Sequence, residues 1–421
     1  MDPEYQHTVR VTSEPDDLVR SRLTVFFRLL LALPHIIWLI GWAVLVAIVS
    51  IVNWFATLFT TKPLDALNRF NTAFIRYAVH VIAYISLTSN PFPGFLGELG
   101  SYPVDAHLPE QPEVQNRWKT GFRWILAIPA WFMDGVLSGG GGGGRNGSYS
   151  SGALWVNAFL AWWVCMFTGR MPAGLRDMNL WTIRYAAQTH AYSLLVTEQY
   201  PDADPFVPPV PREAPPHPVR LTADDELERS RLTVFFRLLL TLPHIIWLSL
   251  WGIAVFFAAI GAWFAALFTR RVPDGLHRFM AAYVRYYTHV IAYLTLAANP
   301  FPGFVGEQGS YPINLEIEGP REQNRRKTGF RWILNIPALL IGGGTGGALF
   351  VAAFLGWFAA LFTGRMPRNL RQAQLFALRY SGQTYAYSLL LTERYPFASP
   401  APPAREEAEA VPPVVVPEPA A

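Results

Sequence analysis

Three stretches of this chain carry no Asp, Glu, Lys or Arg for more than thirty residues. They are the 33 residues between Arg28 and Lys62, the 32 between Arg237 and Arg270, and the 33 between Arg331 and Arg365. Runs this long and this apolar read as membrane helices, because helices of a water-soluble core are normally interrupted by charge sooner. A 33-residue helix is about 50 Å long, whereas a bilayer's hydrocarbon core is about 30 Å thick. Each run therefore overshoots and must tilt, kink or lie partly along the interface. Pro34, Pro243 and Pro337 offer kink points, and Trp54-Phe55, Trp263-Phe264 and Trp357-Phe358 suit the headgroup level. The polar residues before Arg20, with Glu14, Asp16 and Asp17, do not resemble a cleavable signal, so the first run is expected to be an uncleaved anchor.

Composition agrees. Charged residues make up 15% of the chain, against roughly 25% in an average soluble domain. Hydrophobic residues make up 52%, which excludes a disordered chain. A net charge of +4 is too small to imply a nucleic-acid partner, and the single Cys excludes an intrachain disulfide.

The chain also repeats itself. Ser21–Leu39 and Ser230–Leu248 differ only at Ala32 against Thr241, an offset of 209, and NPFPGF recurs at Asn90–Phe95 and Asn299–Phe304. Within each half a weaker repeat gives four units with three landmarks. The first is Phe-Arg followed by Pro: Phe27-Arg28, Phe122-Arg123, Phe236-Arg237 and Phe330-Arg331. The second is Phe-Thr, a basic residue and Pro, ending at Pro63, Pro172, Pro273 and Pro367. The third is Arg-Tyr with Ala-Tyr seven residues on.

Each unit thus reads as a hairpin of helix A, from Phe-Arg to Phe-Thr, and helix B, which carries Arg-Tyr. The Pro is expected to end helix A, with Asp65, Asp177, Asp274 and Asn369 as caps for helix B. Two spans per unit give an all-α membrane bundle of about eight helices. An even number per unit keeps all units in one orientation, with pseudo-symmetry about the membrane normal. The units are 21–97, 119–200, 230–306 and 327–399. Between them lie polar loops at 98–118 and 307–326 and a Pro-rich linker at 201–229. A polar segment, 1–20, precedes them, and a Pro/Glu/Ala tail, 400–421, is expected to be disordered. Glycines at 138–152 and in GGGTGG, Gly342–Gly347, are read as breaks that split helix A of units two and four into half-spans. Arg10, Arg20, Arg22 and Arg28 precede the first run and Lys62 and Arg69 follow it, which places both termini in the cytoplasm.

These landmarks resemble a bacterial membrane-protein family catalogued as a domain of unknown function. Its signature is Phe-Thr-Gly-Arg-x-Pro, then Arg-Tyr, Ala-Tyr, Leu-Thr and an aromatic-Pro pair, here closing at Leu195–Pro201 and Leu391–Pro396. Units one and three depart from it, ending in Asn90-Pro91-Phe92 and Asn299-Pro300-Phe301. The resemblance supports a bacterial inner-membrane location and the repeat, and implies no chemistry.

Helix B carries the candidate site. Arg76, His80 and Tyr84 stand at i, i+4 and i+8, on one helical face. The matching sets are Arg184, Gln188 and Tyr192; Arg285, His289 and Tyr293; and Arg379, Gln383 and Tyr387. A charge at membrane depth costs at least ~2.5 kcal/mol, so these faces should meet protein, water or headgroups. They read as headgroup anchors or inter-repeat contacts, or as stripes converging on a polar cavity for an anionic ligand.

His35, His244, His80 and His289 have no Cys or acid at ligand spacing, so no metal or haem is expected. Glu98 and Glu307 have no paired acid, and Cys165 sits in an apolar Trp-rich run. No catalytic motif is visible and no cofactor is implied. The expectation is a non-catalytic scaffold or accessory subunit that binds lipids or partner membrane proteins. The alternative is a channel or transporter lined by the helix-B stripes.

Overall fold

The computed structural model describes residues 7–139, 152–208, 215–224 and 226–400. The glycine-rich insertion of unit two, from 140 to 151, and the tail from 401 on lie outside the described residues.

The long charge-free runs fold as helices. Helix A of unit one is α1, Arg22–Thr60, and its helix B is α2, Asp65–Ile85. Unit two opens on a short α3, Arg117–Gly121, continues as α4, Arg123–Ser138, and α5, Ala153–Thr168, and closes with α6, Ala173–Ser193. The second half repeats this with α7, Arg231–Thr269, and α8, Asp274–Leu294. Then follow α9, Arg325–Gly329, α10, Arg331–Thr363, and α11, Arg368–Ser388. Three of these helices, α1, α7 and α10, are long and apolar enough to cross a membrane. The B helices are interrupted by buried Asn, Arg, His and Gln and do not join them.

The architecture is mostly helical rather than all-α. Two short antiparallel sheets fall in segments expected to be plain linkers. β1, Arg10–Ser13, pairs with β2, Val104–His107, with Val11 opposite Ala106. β3, Val219–Ala223, pairs with β4, Ile313–Ile317, with Leu221 opposite Leu315. Four or five residues are too few to signal a strand by alternation. The pairing is made by partners ninety or more residues away, resting on the B helices.

Helix A stops differently from the expectation. The residue after Phe-Thr takes a left-handed conformation: Thr61, Gly169, Arg270 and Gly364, all with φ between 61° and 75°. Its N–H closes back on the carbonyl four residues earlier, as Gly169 does on Cys165 at 2.8 Å. Glycine reaches this conformation without a Cβ clash, which accounts for FTGR in units two and four. The prolines instead stand at the entrance to helix B, where Pro172, Pro273 and Pro367 are the N-cap residues. Accordingly Asp65 and Asp274 are first-turn residues rather than caps, and Asp177 lies inside α6, bonded to Ser399 Oγ at 2.7 Å. Asn369 Oδ1 accepts the neighbouring Leu370 N–H.

The glycines of unit four do not break the helix. α10 is continuous from Arg331 to Thr363, and within the glycine stretch the Thr345 hydroxyl donates to the carbonyls of Ile341 and Gly342. What the glycines permit is approach: a Cβ on Gly344 would stand 3.0 Å from Ala153.

The helices form layers. Each A helix packs along its own B helix. The A helices also touch one another in the order α1, α5 with α4, α10, α7. The B helices form a second row, α2 on α6 and α8 on α11, with Trp181 of α6 meeting Phe376 of α11 edge to face. The sheets cover the B row: β2 on α2, β1 on α6, β4 on α8 and β3 on α11.

Successive A helices run in opposite directions, contrary to the single orientation expected from two spans per unit. The N-terminal end of α1 meets the C-terminal end of α5, where Arg22 donates to the Phe167 carbonyl and Trp162 to that of Val25. Its C-terminal end meets the start of unit two's helix A, where Arg117 donates to Phe59 and Trp54 donates to the Thr120 carbonyl. The second half repeats three of these contacts: Trp357 to Val234, Arg325 to Phe268 and Trp263 to Thr328. Between the halves, Ile128 and Phe132 share a groove with Phe354 and Phe358, and Gly347 lies against Val136. Hence α4 and α10 are antiparallel too.

Candidate functional site

The helix-B stripes follow from a helix with polar groups on a buried face. Arg76 donates to the carbonyls of Gly97 and Ala106, both at 3.1 Å. Arg285 donates to Gly306 at 3.0 Å. Arg184 donates to the carbonyls of Val207 at 2.7 Å and Pro208 at 3.1 Å, and also to that of Asp204. Arg379 donates to the Ser399 carbonyl. In every unit the guanidinium thus holds the chain segment 20 or 21 residues downstream. Gln188 and Gln383 act alike: each donates to the carbonyl at the mouth of a strand, Val9 or Val219, at 3.1 Å. Each also accepts an N–H from the downstream segment, Asp202 at 2.9 Å or Phe397 at 3.0 Å.

The histidines differ between the halves. His80 Nε2 meets Asp105 Oδ1 at 2.8 Å. The same carboxylate accepts the N–H groups of Gly100 at 2.5 Å and Ala106 at 2.8 Å. Burial pushes the Asp105 carboxyl upward, but the hydrogen bonds from His80 and the two N–H groups outweigh it and hold the pKa below its ordinary value. In unit three Asn314 stands at the equivalent position, and His289 stacks on Tyr311. His35 and His244 are buried against Tyr77 and Tyr286, at 2.7 and 2.6 Å from the hydroxyls. Among the described residues no three His, Cys, Asp or Glu side chains gather as a metal site would require.

The tyrosines of the stripe point to a partner that the sequence reading left as a landmark. Arg28 lies over the ring of Tyr84 at 4.3 Å, Arg123 over Tyr192 at 4.2 Å, Arg237 over Tyr293 at 4.2 Å and Arg331 over Tyr387 at 4.1 Å. These are the arginines of the Phe-Arg motif. Each also donates to backbone carbonyls at the end of helix B or just past it, as Arg28 does to Tyr84 at 2.7 Å and Ser89 at 3.0 Å. Their signal was present, because Phe-Arg and Ala-Tyr occur together in all four units. Asp105 was missed altogether, since it has a counterpart Asn314 and belongs to no repeated motif.

Geometrically, then, the stripes are spread over four helices and turned toward the chain's own return segments. A model of one family matches four segments, 22–96, 148–203, 231–305 and 325–399, which together span well over half of the chain. The chain belongs to the family described as a domain of unknown function, DUF4389. No curated protein and no solved structure matches it. Three of the four DUF4389 segments contain a whole helix pair with its Arg–Tyr contact, whereas the second, 148–203, takes in α5 and α6 and begins after Arg123.

Proposed function

We propose that this DUF4389 protein is a non-catalytic component of the bacterial plasma membrane, a scaffold or accessory subunit that engages lipids and partner membrane proteins. The observation that carries this reading is the inverted polarity of its A helices. On α1 between Phe26 and Phe59 the polar residues Arg28, His35, Ser50, Asn53 and Thr57 are all buried. Phe26, Leu30, Ile37, Val44, Ile48, Ile51, Phe55 and Phe59 are exposed. Only 17% of the most apolar stretch of α1 and 11% of that of α7 is buried within the chain. In water this surface would be an aggregation site, whereas hydrocarbon solvates it.

Of the eight spans expected from the sequence, the observed hydropathy supports three candidates. The bonding of Arg76, Arg184, Arg285 and Arg379 to backbone carbonyls supports a structural role for the stripes over a solute pathway. In this reading both termini face the cytoplasm.

The test is extraction. The protein should stay with membranes through an alkaline carbonate wash, leave them only with detergent, and carry phospholipid on native mass spectrometry. Release by carbonate as a lipid-free monodisperse species would overturn the proposal.

A further inference from the structure

We infer that the four A helices do not cross the bilayer but lie in its plane, with their exposed face immersed in the acyl chains of one leaflet. This rests on the membrane reading above and specifies how the same surface meets its lipid.

Length is the first argument. α1 and α7 are 39 residues each, about 58 Å at ~1.5 Å per residue. To fit a hydrocarbon core of about 30 Å they would need a tilt of roughly 60°, outside the 0–40° range of spanning helices. Protrusion does not relieve this, because the exposed apolar residues run from Leu23, 69% exposed, to Phe59, 74% exposed, at opposite ends of α1. A layer one helix thick measures about 10 Å, which fits within half of that core.

The second argument is the route of the chain. α2 ends beside the N-terminal end of α1, where Arg20 donates to the Leu87 carbonyl and Arg28 to that of Tyr84. By Gln115 the chain has reached the other end of α1, where Gln115 N–H donates to Thr61. Residues 87–115 therefore travel the length of the helix layer without a helix, carrying Glu98, Asp105, Glu110 and Glu113. The second half does the same between the Leu296 carbonyl, held by Arg229, and Gln323, bonded to Arg270. If the A helices spanned, both polar segments would traverse the bilayer as irregular backbone. With the helices flat, both lie on the sheet side, in water.

Charge is the third. Exposed cations sit at both ends of the A layer: Arg22, Arg170 and Arg270 at one, Lys62, Arg117 and Arg365 at the other. Spanning proteins concentrate such charge on one side. A flat layer places both ends at headgroup level, where Lys and Arg meet lipid phosphates. The local axis relating the antiparallel halves is then perpendicular to the layer, so it still runs along the membrane normal.

The experiment uses the full-length chain with Cys165→Ala and single reporters Lys62→Cys, Arg170→Cys and Glu110→Cys. Right-side-out and inverted membrane vesicles are treated with a membrane-impermeant maleimide. All three thiols should react in one vesicle type and stay protected in the other. Lys62→Cys and Arg170→Cys reacting in opposite types would overturn the in-plane arrangement while leaving the membrane reading intact. Loss of the chain from both vesicle types on carbonate washing would overturn both. Bimane on Leu30→Cys, Val44→Cys and Phe55→Cys, quenched by spin-labelled lipids, should report one common depth, whereas a deep centre with shallow ends would refute the inference.

Discussion

Arg28 offers the sharpest test of how a DUF4389 repeat is held together. Its side chain is 1% exposed. Nη1 donates to the carbonyls of Tyr84 and Ser89, at 2.7 and 3.0 Å, and Nη2 to Asn90 Oδ1 at 3.1 Å. The Tyr84 ring adds a cation–π contact at 4.3 Å. Arg28→Met keeps most of the volume but leaves buried carbonyls without a donor, at about 1–3 kcal/mol each. Against this stands the relief of no longer burying a guanidinium, so the net loss comes to about 3 kcal/mol. For a cooperative unit of 150–250 residues, each kcal/mol lowers Tm by about 2–4 °C, which gives about 6–12 °C. Thermal unfolding in detergent, followed by near-UV circular dichroism, measures it. Arg28→Lys should fall between wild type and Met, because an ammonium keeps the charge but lacks the planar fork. A double-mutant cycle with Tyr84→Leu should show about 1–2 kcal/mol of coupling. A melting temperature for Arg28→Met within about 2 °C of wild type would refute the reasoning, since it would mean that the carbonyls find other donors.

Three further outcomes are expected. Asp105 is held below its ordinary pKa when folded, so its stabilisation is complete above the unfolded value near 3.8 and is lost as pH falls through the lower folded value. Asp105→Asn, which copies Asn314 of the second half, should therefore flatten the acid-unfolding curve below about pH 4, read by tryptophan fluorescence. Gly97→Ala should destabilise by more than about 1 kcal/mol and lower the yield of folded protein. Gly97 has φ +64°, and a Cβ would lie 2.5 Å from the Ala73 carbonyl oxygen. In α10, Gly342 and Gly343 face open space. Replacing both with Ala should raise stability by up to about 1 kcal/mol each, and a fall in Tm would show that the continuous helix is not the working conformation.

How far the site was legible depended on which contacts are local. The stripe Arg76, His80 and Tyr84 could be placed on one face because helix periodicity is a short-range property. What the stripe touches was not legible, because Ala106 is 30 residues from Arg76 and Val9 is 179 from Gln188. The expectation that Pro ends helix A failed for a local reason: a left-handed residue, Gly169 or Thr61, had already stopped it. The four-residue strands escaped notice because neither Arg10–Ser13 nor Val104–His107 is stable as a strand without the other.

The sequence alone established that α1, α7 and α10 are long and apolar enough to cross a membrane, that one helix pair is used four times, and that an Arg and a Tyr recur in each pair. Charge-free length and repetition are properties of the chain itself, so folding could not change them. Only the tertiary structure decided which way successive A helices run. The segment from Leu87 to Gln115 is long enough to begin the next helix at either end of the last, and the choice is made by Arg117 closing on Phe59 and Arg22 on Phe167. Hydrogen-bonded ends must satisfy both partners at once, and no pattern read along a single strand of residues contains that condition.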